Sequence, residues 1–313
     1  MRNEFCRSLV DAATDPRLVF LTGDLGYKAL EPLREALGRR FINAGVAEQN
    51  MVGLAAGLAR EGWRPWVYSI APFVYARPFE QIRNDVCLHN LGVKFVGNGG
   101  GYGYGVMGST HHALEDYGTL LALQNMRVMI PTFGADVPAV VAKLRDFPHP
   151  AYLRLGASEE PAGLNVPLYA PWRRLVQGET ATVLAVGPLA GPLWAAANAL
   201  TPDQRPSLWI LSELPIEQFP DAFLADVSRT QHLIVVEEHV AQGGVAQMLA
   251  ARMLAAGVAP RRFQQFNALG YASGLYGSQK FHRKECALDA ESILNQCRAS
   301  AGAVVGPAVR VAA

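Results

Sequence analysis

Residues 42–61 read INAGVAEQNMVGLAAGLARE, and they place one carboxylate, that of Glu48, at the start of a helix built mostly from small residues. Gly53 and Gly57 stand four residues apart on one face of this helix, where they let another backbone approach closely. Each glycine inside a helix costs about 1 kcal/mol relative to alanine, so the pair indicates close packing. Arg60 ends the apolar run after about a dozen residues, too few to span a bilayer. The stretch predicts a tightly packed helix of a globular protein.

Glu48 by itself has an ordinary explanation, because the helix dipole favours an acid in the first turn. The wider pattern is more specific: AEQN at 47–50 is followed by G-x-x-x-G and then by GWRP at 62–65. It resembles the pyrimidine-binding domain of thiamin-diphosphate enzymes, above all the transketolases and 1-deoxyxylulose-5-phosphate synthases. The resemblance implies that Glu48 shares a proton with N1′ of the cofactor's aminopyrimidine and thereby activates the cofactor.

Composition narrows the class of protein. The 313 residues carry a net charge of +1, half of them are hydrophobic, and the mean hydropathy is +0.10. No basic block is interleaved with aromatic residues, so neither a nucleic acid nor a membrane is an expected partner. The N-terminus lacks an apolar signal core, and four cysteines show neither disulfide density nor metal spacing. We therefore expect a cytoplasmic protein that acts on small molecules and binds no metal through its own residues.

Two short runs predict the first strands and the residues that follow them. The apolar run 18–22 ends in GDLG, which is typical of a buried parallel strand that stops at a binding edge. Asp24 in this turn matches an Asp-Leu pair of transketolases that lies near the cofactor; a loop or capping role explains it equally well.

The strand predicted at 64–70 leads into a helix with candidate cofactor contacts. In the resembled family, aromatic residues at this strand exit stack on the aminopyrimidine. Phe73 can supply such a face, with Tyr68 as a second candidate, because the family's spacing of two aromatics is not kept here. Arg77 fits the family's Arg-x-x-x-Gln pattern, although a solvated helix face explains it nearly as well.

A glycine-rich stretch, GNGGGYGYGVMGSTHH at 97–112, follows the strand predicted at 93–96. No P-loop lysine or dinucleotide fingerprint accompanies it, so the glycines alone are weak support for phosphate binding. GSTH at 108–111 matches the family's Gly-x-Thr-His, which implies that His111 contacts substrate and assists the reactive intermediate. Transketolases carry an acidic pair where this chain has Val106 and Met107. A substrate-binding Met107 in place of an aspartate indicates a different acceptor, deoxygenated or bulkier.

The last strand predicted in the first domain, at 151–154, ends in an arginine. In transketolases an arginine at this place binds the sugar phosphate, so the resemblance makes Arg154 a substrate-binding residue. An ion pair with Glu159 or Glu160 is the alternative.

The second half alternates predicted strands and helices again, with the strands at 181–186, 207–211, 232–236 and 262–266. Residues 156–178 are rich in proline and glycine without clear periodicity. We therefore expect an α/β protein of two doubly wound domains with mostly parallel sheets. The pyrimidine-binding domain occupies 1–160, a linker 161–178, and a domain resembling the C-terminal domain of transketolases 179–313. EEH at 237–239 suits acid-base chemistry, but the resemblance implies a structural role.

The family's Gly-Asp-Gly motif, which holds Mg2+ and the diphosphate, is not found: residues 23–25 and 97–99 both fail it. The resemblance therefore implies an N-terminal transketolase subunit as partner, which carries the diphosphate and Mg2+ site, and we expect a heterotetramer. The predicted function is that of the small subunit of a split transketolase acting on sugar substrates. Two alternatives stay open: a beta subunit of the first component of an alpha-keto acid dehydrogenase, and a non-catalytic assembly partner.

Overall fold

The apolar runs of the sequence form two sheets in the computed structural model, which describes residues 1–26, 29–158 and 160–298. The strands of the first half are β1 (Leu18–Thr22), β2 (Phe41–Asn43), β3 (Arg64–Ile70), β4 (Lys94–Asn98), β5 (Arg127–Met129) and β6 (Ala151–Leu155). Its helices are α1 (Arg2–Asp11), α2 (Glu31–Leu37), α3 (Glu48–Arg60), α4 (Ala71–Tyr75), α5 (Phe79–Gln81), α6 (Asp116–Leu121) and α7 (Val137–Asp146).

The first sheet is covered on both faces because its strands alternate their side chains. On β3, Trp66 and Tyr68 pack in one cluster with residues of α1 and α7. Val67, between them, packs in the opposite cluster with residues of α3. Helices on both faces of a largely parallel sheet confirm the predicted doubly wound α/β class.

The second half repeats this architecture with a smaller sheet. Its strands are β7 (Trp172–Val176), β8 (Thr182–Val186), β9 (Ser207–Leu211), β10 (Glu213–Leu214), β11 (His232–Val236) and β12 (Arg262–Phe266). Its helices are α8 (Ala190–Asn198), α9 (Asp221–Thr230), α10 (Val245–Ala255), α11 (Gln279–Glu285) and α12 (Ala290–Arg298). The sheet order is β12-β11-β8-β9-β7, and β7 alone runs antiparallel to its neighbour. No helix in the described ranges is both long and apolar enough to cross a membrane.

The stretch 161–178, expected as a linker, contains β7 and so differs from the expectation. The strand lacks an apolar pattern because its most buried member is an arginine. Arg173 forms a two-pronged ion pair with Asp136 of the first half, with nitrogen-oxygen distances of 2.6 and 2.7 Å. The assignment of functional domains to 1–160 and 179–313 stays a prediction, and residues 299–313 lie outside the described residues.

The two halves also share a sheet. β10 pairs antiparallel with β5, which places Glu213 opposite Met129 and Leu214 opposite Val128, so residues of the second half complete the first sheet at its edge.

The EEH segment at 237–239 also contacts the first half, at residues other than those of the β5–β10 pair. The carboxylate of Glu237 accepts hydrogen bonds from the Tyr117 hydroxyl and from two backbone N–H groups at the start of α10. His239 is fully buried, accepts a bond from the Gly118 N–H at Nε2 and donates from Nδ1 to the Val240 carbonyl. Every polar group of these two side chains is used inside the fold, which is consistent with a structural role.

Burial makes the fold sensitive to acid through His239. Burial lowers the pKa of this imidazole from 6.5 to about 4, so the unfolded chain binds its proton more readily than the folded chain does. The stabilisation from this group is complete above pH 6.5 and is lost as the pH falls towards 4, by about 3 kcal/mol at most. In urea unfolding at several pH values, the free energy of unfolding should fall less between pH 6.5 and 4 in His239→Gln than in the parent. Exposed His89→Gln is the control; an equally steep loss in His239→Gln would contradict this assignment.

Candidate functional site

Glu48 is the first residue of α3, and its side chain is only 6% exposed. Its Oε1 accepts a hydrogen bond of 2.7 Å from Nη1 of Arg77, whose side chain is 45% exposed. The structure therefore brings together two of the predicted site residues, one buried carboxylate and one guanidinium open to solvent.

Two aromatic rings extend this pair. The guanidinium carbon of Arg77 lies 3.7 Å from the centroid of the Phe73 ring, on α4. On its other side Phe73 contacts the His111 ring edge-on, with centroids 5.2 Å apart. Nδ1 of His111 lies 2.9 Å from the hydroxyl oxygen of Thr110. Glu48 on α3, Phe73 on α4, Arg77 just after α4 and His111 in the glycine-rich loop thus form one contiguous cluster of contacts.

Tyr104, which is not among the residues predicted from the sequence, lies next to His111. The centroids of the two rings are 5.7 Å apart, and Asn98 donates a 2.8 Å hydrogen bond to the Tyr104 oxygen. The sequence feature that could have indicated Tyr104 is the alternation of tyrosine and glycine at 101–105, because glycines beside an aromatic ring leave space for it.

Two other predicted residues take no part in the contacts that join this cluster. Met107 belongs to a short 3-10 turn, Gly105–Met107, and is 54% exposed, so it presents an apolar surface beside the loop that carries His111. Asp24 stands at the exit of β1, where it exchanges hydrogen bonds with Asn43 and lines a cavity of about 280 Å³.

Tyr68 does not belong to the cluster. It is 1% exposed and lies between Phe5, 6.0 Å away and nearly parallel, and Phe20, 5.9 Å away. Alternation along β3 turns this side chain towards the α1 side of the sheet, and burial there raises the pKa of its hydroxyl. In this structure Tyr68 is therefore a core residue, and of the two candidate aromatic residues only Phe73 contacts Arg77 and His111.

Arg154 is also not a free anion-binding residue. Its side chain is 5% exposed, and Nε donates at 2.8 Å to Asp116, which is fully buried. Nη2 donates at 2.9 Å to the carbonyl oxygens of Ala113 and Glu238. The arginine therefore ties the first half to the second. Of the two alternative partners, Glu160 is not among these contacts, and Glu159 lies outside the described residues.

No group of three or more His, Cys, Asp or Glu side chains that could hold a metal ion occurs in residues 1–26, 29–158 and 160–298. A buried carboxylate beside a flat aromatic face, on a doubly wound domain followed by a second such domain, is the arrangement of the pyrimidine-binding half of a thiamin-diphosphate enzyme.

Comparison with known proteins agrees with this class. Residues 10–160 match the family described as "Transketolase, pyrimidine binding domain". One of the subunits of the apulose-4-phosphate transketolase of Phocaeicola vulgatus is 30% identical over 256 residues, which cover 79% of this chain and 81% of that protein. The 1-deoxy-D-xylulose-5-phosphate synthase 2 of Geobacter sulfurreducens is 34% identical over 275 residues, which cover 83% of this chain and 42% of the relative.

Among solved structures, a split gene transketolase described as an inactive beta4 tetramer superposes with a TM-score of 0.80 at 27% identity, covering 95% of this chain and 96% of that one. A transketolase from Leishmania mexicana shares the fold, with a TM-score of 0.73 at 18% identity, over 95% of this chain and 44% of its own.

The chain belongs to the transketolase family, whose members are thiamin-diphosphate-dependent transferases. It is similar over most of its length to the C-terminal subunit of split transketolases.

The position of Arg154 gives a test that separates anchoring from phosphate binding. Arg154→Met leaves Asp116 buried without its charge partner, and removing one member of a buried pair costs about 3–5 kcal/mol. We expect urea unfolding to show that loss. In protein that still folds, we expect KM for a phosphorylated and an unphosphorylated ketose to change by the same factor.

Arg145→Met is the control, because Arg145 pairs with Asp146 at the surface. An increase in KM confined to the phosphorylated ketose would restore the original prediction.

Proposed function

We propose that this chain is the small subunit of a split transketolase, which transfers a two-carbon ketol unit from a ketose donor to an aldehyde or ketone sugar acceptor. Its similarity to one of the subunits of apulose-4-phosphate transketolases, over most of both chains, supports this function.

The structural observation that best supports this function is the position of Arg77. Its guanidinium donates a hydrogen bond to Glu48 and lies flat on Phe73. An aminopyrimidine that carries a proton on N1′ is likewise flat and can donate to a carboxylate while it stacks on an aromatic ring. The half-exposed Arg77 thus stands in for the group that the two side chains are suited to hold. Glu48 and Phe73 are therefore suited to bind the aminopyrimidine ring of thiamin diphosphate.

The chain's own groups have distinct roles in this proposal. Glu48 shares a proton with the pyrimidine nitrogen, Phe73 supports the ring, and Arg77 holds Glu48 in place until the cofactor binds. Thiamin diphosphate supplies, when bound, the carbon nucleophile that attacks the ketose carbonyl. His111, beside Phe73, donates a proton to the substrate oxygen on which charge develops. Asp24 contacts the cofactor from the β1 exit, and Met107 forms an apolar edge of the acceptor site.

The remaining parts of the proposal concern assembly. Residues 1–160 form the pyrimidine-binding domain and 179–313 the transketolase C-terminal-like domain. A separate N-terminal transketolase subunit holds the diphosphate and Mg2+, and the two proteins form a cytoplasmic heterotetramer. The relative described as a split gene transketolase beta4 tetramer is also described as inactive, which supports the need for a partner.

The two alternative functions have less support. The relatives described above are transketolases and deoxyxylulose-phosphate synthases, and none is a beta subunit of an alpha-keto acid dehydrogenase. An assembly partner without catalytic function would have no need to keep a buried Glu48 beside Phe73 and His111.

Glu48→Gln tests the catalytic role. The amide keeps the shape of the carboxylate but cannot share its proton, so we expect ketol transfer by the reconstituted complex to fall about 10²–10⁴-fold. Glu61→Gln, just past the other end of α3, is the matched control. Gel filtration should show the same complex for both variants. An undiminished rate in Glu48→Gln would favour the assembly partner.

Phe73 and Tyr68 provide a second test. Phe73→Leu removes the aromatic face, which we expect to weaken binding of thiamin diphosphate with Mg2+ to the complex about 2–10-fold. Tyr68→Phe removes only a hydroxyl on the other side of the sheet and should leave the Kd unchanged. Calorimetric titration measures both. A larger effect from Tyr68→Phe would place the stacking residue on β3.

A further inference from the structure

Tyr104 belongs both to the candidate site and to the lining of a cavity that the proposed roles leave unused. Its ring contacts His111. It also lines a cavity of about 480 Å³ together with Asn98, Gly99 and the start of α1, including Arg2 and Glu4. The polar groups around this cavity suit an oxygen-rich ligand better than an apolar one.

Three nearby residues hold this one side chain in place. Gly99 has a φ of +77°, and a Cβ on it would lie 2.2 Å from Cε2 of Tyr104, so a larger residue would expel the ring. A Cβ on Gly103 would lie 2.9 Å from the Gly99 Cα, so the turn before Tyr104 also requires glycine. Asn98 fixes the phenolic oxygen from the strand end. Part of the glycine run therefore accommodates an aromatic ring.

The Tyr104 hydroxyl, held in this way, can still donate a hydrogen bond. Its oxygen accepts the Asn98 N–H, and no acceptor for its own proton occurs among the residues that the structure describes. The side chain is half-buried, so this donor is fixed in direction and still reachable by a ligand. A donor held in position next to a reacting site discriminates strongly between ligands that can and cannot accept its proton.

We propose that Tyr104 is a specificity-determining residue that donates its phenolic hydrogen to a hydroxyl oxygen on the acceptor's carbon chain. This inference rests on the proposed ketol transfer. The two-carbon unit is held at the Glu48 and Phe73 side of His111, so the acceptor's chain extends past Tyr104 into the polar cavity. The enzyme then favours acceptors with a hydroxyl at that point, whereas the deoxygenated or bulkier group that Met107 indicates would lie at Met107 itself.

The test uses the complete complex with its diphosphate-binding subunit, thiamin diphosphate and Mg2+. Hydroxypyruvate is the donor because its one carbon beyond the transferred unit leaves as CO2. Propanal, 2-hydroxypropanal and glyceraldehyde are the acceptors, since they share three carbons and differ only in hydroxyl number. If propanal reacts too slowly to measure, 2-hydroxypropanal serves as the reference.

Tyr104→Phe keeps the ring and removes the donor. We expect KM for glyceraldehyde to rise about tenfold, the value of one hydrogen bond, with kcat within about twofold. The advantage in kcat/KM of glyceraldehyde over the reference acceptor should fall by the same factor, while the melting temperature stays unchanged. Tyr169→Phe is the matched control, because its hydroxyl donates to Glu213 and lies outside this cavity.

The outcomes separate this inference from the function on which it rests. An active parent complex with Tyr104→Phe unchanged, or altered equally for all acceptors, would overturn the role of Tyr104 and leave ketol transfer standing. A parent complex that transfers no ketol unit to any acceptor would overturn the proposed function, and the inference with it.

Discussion

The carboxylate of Glu238 is the constraint on which the site depends. It is 4% exposed and accepts a 2.7 Å hydrogen bond from the backbone N–H of Tyr102, in the first half. It also accepts bonds from Gln279 and Arg283, on α11. A buried carboxylate is costly unless it is paired and hydrogen-bonded, so these partners must all be present together. Gly101 has to be glycine, because a Cβ there would lie 2.6 Å from the Glu238 carboxyl carbon.

This junction positions the glycine-rich loop, and through it the chemistry. His112, buried just after His111, bonds to the Gly105 carbonyl and to the Tyr271 hydroxyl of the second half, both at 2.8 Å. The loop is thus fixed to the second half on both sides of Tyr104. His111 and Tyr104 are held beside each other in this loop, and Phe73 contacts His111 from α4. Groups held by such packing need little rearrangement when a ligand binds.

The environments of Arg154 and Tyr68 differ from those that the sequence suggests, and the two differences have a common physical origin. Arg154 stands at a strand exit, where the sequence suggests an open arginine, yet Asp116 and the Glu238 carbonyl reach it from distant parts of the chain. Tyr68 stands one residue away from the face that points to α3, and the sequence does not say which face of the sheet carries the site. In both cases the residue type and the strand were predicted, but side-chain direction and long-range partners were not.

Local patterns in the sequence were enough to predict the doubly wound α/β class and the position of Glu48 at the start of α3. These follow from periodicity, turn residues and short motifs, which act over a few residues. Contacts between the folded halves set the rest: β10 completes the first sheet, β7 runs through the expected linker, and Arg154 and Glu238 are buried between the halves. Those features depend on residues far apart in the chain, whose interaction free energy appears only when both halves are folded together.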